Sequence, residues 1–313
     1  MPLNPGDLND YSPERIQAFK QQALLNERYT ISGQGNQLEI DRKDWAPRDW
    51  PDPQLPSITT EGASLGPLIA EGDSWFDYLP GIDILDHLRY RGYAFDVSYA
   101  RAGDTLENMI YGTKHDRDYN RLPPTLDAVL TRLSQVKPKA LLFSGGGNDV
   151  AGEEFTRYFN HSHSGLKAFR DSFAEFEIGI VFKKYLDDLC AKVRQASPST
   201  VIVMHGYGHT PPTGKAVINA GDFRFIGPWL RNVLTSKGIT DTQEQRSIVF
   251  YVIDLYNEML KAVQRDNSDN FRFVDLRQVI NPDSDWANEL HLTNAAFYAA
   301  ASRIHDELQL LAQ

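Results

Sequence analysis

From about residue 67 onward, short apolar runs alternate with longer amphipathic ones. PLIA (67–70), FDVSYA (95–100), KALLFSG (139–145), TVIVMHG (200–206) and FRFVDL (271–276) read as buried strands, because each is short and nearly continuous in apolar residues. Helical patterns separate them. IDILDHLRYRGY (82–93) places Ile82, Leu85, Leu88 and Tyr93 at helical spacing, and PTLDAVLTRLSQV (124–136) opens on proline. Leu166 to Gln195, IVFYVIDLYNEMLKAVQ (248–264) and TNAAFYAAASRIHDELQLL (293–311) complete the set. This alternation predicts an α/β fold with a parallel sheet covered on both faces.

The first 66 residues follow another pattern. WAPRDWPDPQLPSITTEG (45–62) carries too much proline for a regular helix or a central strand. One helix is predicted here, with Ser12 as cap, Pro13 in the first position and RIQAFKQQALLNERY (15–29) as its body. The reading is an extension over 1–66, with Trp45 and Trp50 as anchors, packed on a domain spanning 67–313.

Composition narrows the function classes. The chain has 313 residues, 41% of them hydrophobic, enough for a sizeable core. A net charge of −10, without any Lys/Arg-rich run, argues against nucleic acid as partner. The single cysteine, Cys190, falls in a helical stretch and reads as a buried thiol. No signal peptide and no membrane span are read, so a cytoplasmic location is expected.

Three loops stand out, each following one of the first three strands: EGDSWFD (71–77), RAGDT (101–105) and GGGND (145–149). With strand order 2-1-3-4-5, all three converge on the crevice where the order reverses. His291, between the last strand and the closing helix, lies on a loop able to return to the same edge. The chemistry follows from the residue types. A serine hydroxyl such as Ser74 needs a neighbouring base, and an imidazole suits that role at neutral pH. A tetrahedral oxyanion needs preorganised donors, which Gly103 offers as an open N–H and Asn148 as a side-chain amide. The spacing of His205 and His209, and the HSHSG run with His161 and His163, would suit metal ligands only on a helix. The glycines and Pro211 around the first pair oppose that, and no metal or cofactor is expected.

Gly72-Asp73-Ser74, Gly103, Gly147-Asn148-Asp149 and His291, in this order, resemble the four sequence blocks of the SGNH/GDSL hydrolase superfamily over about residues 67–311. The resemblance implies a flavodoxin-like three-layer α/β/α fold with a five-stranded parallel sheet, and metal-independent hydrolysis of a small-molecule carboxylic ester. Ser74 would be nucleophile and, through its own N–H, an oxyanion donor beside Gly103 and Asn148, with His291 the base. The family places an aspartate three residues before the histidine, where this chain has Asn288. The partner of His291 therefore stays open among Asn288, Asp285, Glu289, Glu71 and a backbone carbonyl. An O-acyltransferase on the same scaffold and a non-catalytic binding module are the two rival readings.

Overall fold

The computed structural model describes residues 29–34, 37–42, 62–78, 82–220, 223–225 and 227–312. In the extension, Tyr29–Gln34 (β1) and Gln37–Arg42 (β2) pair as an antiparallel hairpin. The sequence reading had carried its helix to Tyr29, which instead opens β1. The rest of that helix, with Trp45 and Trp50, lies outside the described residues.

The main sheet is built from Leu68–Glu71 (β3), Phe95–Ser98 (β4), Ala140–Phe143 (β5), Val201–His205 (β6) and, after an inserted hairpin of Ile218–Ala220 (β7) and Phe223–Phe225 (β8), Phe271–Val274 (β9). All its pairings are parallel, in the order β4-β3-β5-β6-β9. This is the expected 2-1-3-4-5, with the reversal between β3 and β5. Both β3 and β5 are buried throughout, because helices cover both faces of the sheet.

Alternation along each strand divides the core in two. Ile69, Leu141, Phe143, Ile202 and Met204 face one layer, with Leu106–Tyr111 (α2), Thr125–Val136 (α3), Lys183–Ala196 (α5) and Thr242–Asp266 (α7). Leu68, Ala70, Leu142 and Val203 face the other, with Ile84–Tyr90 (α1) and Asn294–Ala312 (α8). Cys190 is buried in the first layer, and burial pushes its thiol up to about 12.

Helix ends depart from the sequence reading for local reasons. The α7 helix starts six residues before Ile248, because Asp241 caps it by accepting the Glu244 N–H at 2.7 Å and the first turns are polar. The stretch read as helical from Leu166 begins only at Asp171–Phe176 (α4) and passes through a π-helical turn, Glu177–Phe182, into α5. Two six-residue helices, α2 and Arg231–Ser236 (α6), were not foreseen. Among the described residues no helix is long and apolar enough to cross a membrane.

Candidate active site

At the carboxyl end of β3 the chain turns sharply over the sheet edge. The turn lies so close to β5 that a Cβ on Gly72 would sit 2.8 Å from the Ser144 Cβ. The Asp73 side chain points inward, accepting from the Trp75 N–H (3.0 Å) and the Ser144 hydroxyl (2.7 Å) at Oδ1, and from the Tyr207 hydroxyl (3.1 Å) at Oδ2. With Asp73 and Trp75 buried on either side, Ser74 is left half-buried, facing the crevice.

His291 reaches Ser74 from the other end of the chain, with Nε2 2.8 Å from the Ser74 Oγ. Its loop is pinned by a bridge between Trp286 and Leu292 and by the Trp75 indole N–H, which donates to Leu290 O at 2.9 Å. The tautomer follows from hydrogen counting. The Asn288 Oδ1 accepts the backbone N–H groups of Leu290 (3.0 Å) and His291 (2.9 Å), so the atom facing them is the amide oxygen. The same oxygen lies 3.0 Å from His291 Nδ1, which therefore carries the proton and donates it. Nε2 is left unprotonated, able to accept from Ser74. The imidazole is buried between Tyr78, whose ring centroid is 4.5 Å away, and the edge of Trp229. Burial pushes its pKa down to about 3. Asn288 is neutral, so no facing carboxylate opposes that shift.

Two further groups lie on the loops after β4 and β5; the Arg101 N–H ties the first loop to the Ser74 turn by donating to Gly72 O at 2.8 Å, and Asn148 of the second shares a cavity wall with Ser74. Gly103 has φ +82°, a left-handed conformation that favours glycine, and nothing lies within 4 Å of where its Cβ would be. Ala102, just before it, donates its N–H to the buried Asp77 carboxylate at 3.2 Å. Asn148 spends one amide hydrogen on Asp104 O (2.8 Å), which orients the second. Asp149 holds this loop to the start of α2, accepting from the Leu106 N–H at 2.8 Å. Burial nonetheless raises its pKa to about 7.

The structure joins Ser74, His291 and Asn288 by hydrogen bonds and places Asn148 on the same cavity wall as Ser74, and it sends the remaining carboxylate candidates elsewhere. The Asp285 carboxylate accepts the Asn281 N–H and the Ser284 hydroxyl. The fully buried Glu289 carboxylate accepts four backbone N–H groups, from Gly214, Trp229, Leu230 and Arg231, at 2.7–3.1 Å. Glu71, also fully buried, has neither oxygen hydrogen-bonded, and burial raises its pKa well above the usual carboxylate range. His209 meets Asp254 at 3.0 Å, and His161 accepts the N–H of His163.

Sequence reasoning missed a second Ser–His contact. His205 Nε2 lies 3.0 Å from the Ser144 hydroxyl, and the ring stacks on Trp75 at 4.9 Å. Ser144 is completely buried, so this chain of groups braces the Ser74 turn from below and does not face the crevice. The signal lay in Ser144 and His205 ending adjacent strands, but only the sheet order makes them neighbours.

A family model described as the GDSL-like Lipase/Acylhydrolase family matches residues 57–299. Among solved structures, phospholipase A1 from Streptomyces albidoflavus NA297 is similar at 15% identity and TM-score 0.48, over 78% of this chain and 99% of that one. An extracellular lipase from Streptomyces rimosus is similar at 12% identity and TM-score 0.47, over 76% and 98%. The family 3 carbohydrate esterase of Clostridium thermocellum is similar at 13% identity and TM-score 0.44, over 79% and 98%. No curated protein sequence matches the chain.

Proposed function

Because the chain belongs to the GDSL-like lipase/acylhydrolase family, we propose that it hydrolyses carboxylic esters through an acyl-Ser74 intermediate, with His291 as general base. The observation that carries this reading is the 2.8 Å contact of Ser74 Oγ with His291 Nε2, together with the Asn288 oxygen that holds the proton on the far nitrogen.

In the proposed sequence, Ser74 Oγ attacks the ester carbonyl carbon while its proton passes to His291 Nε2. The carbonyl oxygen becomes an oxyanion, met by the N–H groups of Ser74 and Gly103 and the free amide hydrogen of Asn148. When the tetrahedral intermediate collapses, the leaving alkoxide takes the proton from His291. Water, deprotonated by the same nitrogen, then attacks the acyl carbon and frees Ser74. Asn288 acts as a positioning residue: it fixes the tautomer and ring plane but supplies no negative charge to the imidazolium that forms.

A fluorophosphonate probe tests this directly. Stoichiometric labelling at Ser74, abolished in Ser74→Ala and strongly slowed in His291→Ala, is expected. Folded protein that stays unlabelled, or is labelled at another serine, would falsify the reading.

A further inference from the structure

Three polar side chains beneath the Ser74 turn take no part in the steps above. Asp73 lies just beyond β3, Ser144 follows β5 and His205 ends β6, and all three are buried. The Ser144 Oγ lies 2.7 Å from Asp73 Oδ1 and 3.0 Å from His205 Nε2. His205 Nδ1 lies 2.9 Å from Gly206 O, a carbonyl that can only accept, so Nδ1 carries a hydrogen. Ser144 then has one hydrogen for two contacts. If it donates to Asp73, its oxygen must accept from a protonated Nε2, and an imidazolium faces a carboxylate through the hydroxyl. If it donates to Nε2, the Asp73 contact needs a proton on the carboxyl, and both ends are neutral. Each arrangement holds one proton more than a neutral imidazole and a carboxylate together. Without that proton, one contact sets lone pair against lone pair and a net negative charge stays buried. Burial lowers the His205 pKa, with Gly206 O and Asp73 opposing. Sharing the proton across Ser144 leaves the trio neutral overall, so burial has no net charge to penalise. Burial also pushes up the pKa values of Glu71, Asp149, Tyr207 and Tyr256, so none of these neighbours offsets a charge on Asp73.

Asp73 passes this brace to both sides of the crevice. Its Oδ1 also accepts the Trp75 N–H at 3.0 Å, next to Ser74. Its Oδ2 lies 3.1 Å from the Tyr207 hydroxyl, which accepts the Gly147 N–H at 3.1 Å, next to Asn148. Resting on the Ser–His reading above, we propose that His205 is a positioning residue for ester hydrolysis: with Ser144 and Asp73 it holds one shared proton, and that proton fixes both the Ser74 turn and the Asn148 loop.

The proton is counted by NMR on the whole native protein, with histidine labelled in ¹⁵N and aspartate in ¹³C. At neutral pH the expected result is a protonated His205 Nδ1 and one proton divided between Nε2 and the Asp73 carboxyl. Ser144→Ala cuts the link, and the shared proton should be lost, leaving Nε2 unprotonated and Asp73 ionised together. That same pair of signals in the native protein overturns the proposal, whether or not any ester is cleaved. Kinetics on p-nitrophenyl acetate test the positioning role. His205→Phe should lower kcat by about 10–100-fold, with KM changed less than about threefold. His205→Gln, whose amide N–H can donate to Ser144 in place of Nε2, should recover most of that loss. Folded His205→Phe with native kcat, or His205→Gln no faster than His205→Phe, overturns the role. Failure of Ser74 labelling would sink the Ser–His reading and the positioning role with it, but would leave the proton count standing.

Discussion

Replacing Asn288 by aspartate probes the least usual part of the site. The new carboxylate would inherit the Leu290 and His291 N–H groups and the Nδ1 proton of His291. The Tyr78 hydroxyl, to which the Asn288 amide now donates, would turn and donate to it. With 3.0 Å between Nδ1 and Oδ1, the charge centres lie roughly 4 Å apart, worth about 4 kcal/mol at an effective dielectric near 20. That is about three pKa units, moving His291 from about 3 to roughly 6. On the proposed mechanism the free enzyme needs a neutral imidazole, so protonation of His291 should limit the native enzyme only in strong acid. The variant should lose kcat/KM tenfold per unit below roughly pH 6. The same attraction stabilises the imidazolium of the transition state, by up to about a thousandfold in rate. Burying the carboxylate offsets part of this, leaving a ten- to hundredfold rise in kcat near neutrality as the expected order of magnitude. The assay is a pH–rate profile of an activated ester from pH 4 to 9, followed at the isosbestic wavelength of the product. A variant whose acid limb does not move upward, or whose kcat falls while Ser74 labelling persists, would show that His291 is not the base or that Asn288 does not govern it.

Asn148→Ala should lower kcat by 10²–10³, about 3–4 kcal/mol, with KM changed less than threefold; an effect confined to KM would remove Asn148 from the oxyanion site. Glu289→Gln turns at least two of four accepted N–H bonds into donor–donor contacts, which should cost about 2–4 kcal/mol of stability and speed hydrogen exchange over residues 211–231. An unchanged urea midpoint refutes that. Burial holds the His291 pKa below its unfolded value, so its contribution to stability is complete above about pH 6.5 and is lost as pH falls toward the folded value, by about 1.4 kcal/mol per unit. Folded His291→Gln should therefore gain on the native protein by that slope between pH 6.5 and 5, as measured by urea unfolding at each pH. A difference independent of pH would mean that His291 titrates normally.

The sheet was legible because its strands are buried on both faces and so read as short continuous apolar runs. Short helices were not: α2 offers only the Thr105 cap and six residues, too few for a period to show. The contact of Ser74 with His291 was legible from ordered blocks at strand ends. The partner of His291 was not, because Asp285, Asn288 and Glu289 all fall within seven residues of it. Which of them faces Nδ1 depends on the turn closed by the Trp286–Leu292 bridge, and no spacing rule encodes that turn. Glu289 faces away from the imidazole because its partners, Gly214 to Arg231, lie 58–75 residues upstream.

The 2.8 Å contact between Ser74 and His291 spans 217 positions of sequence. A ribosome that has finished β5 has already made Ser74, Gly103 and two edges of the crevice, yet His291 is still to come. The imidazole, and the Leu290 carbonyl that the Trp75 indole clasps, arrive only with the residues after the last strand. On the proposed mechanism, then, the nascent chain carries Ser74 without its base, and ester cleavage has to wait until the late loop of residues 286–292 docks onto the turn made first.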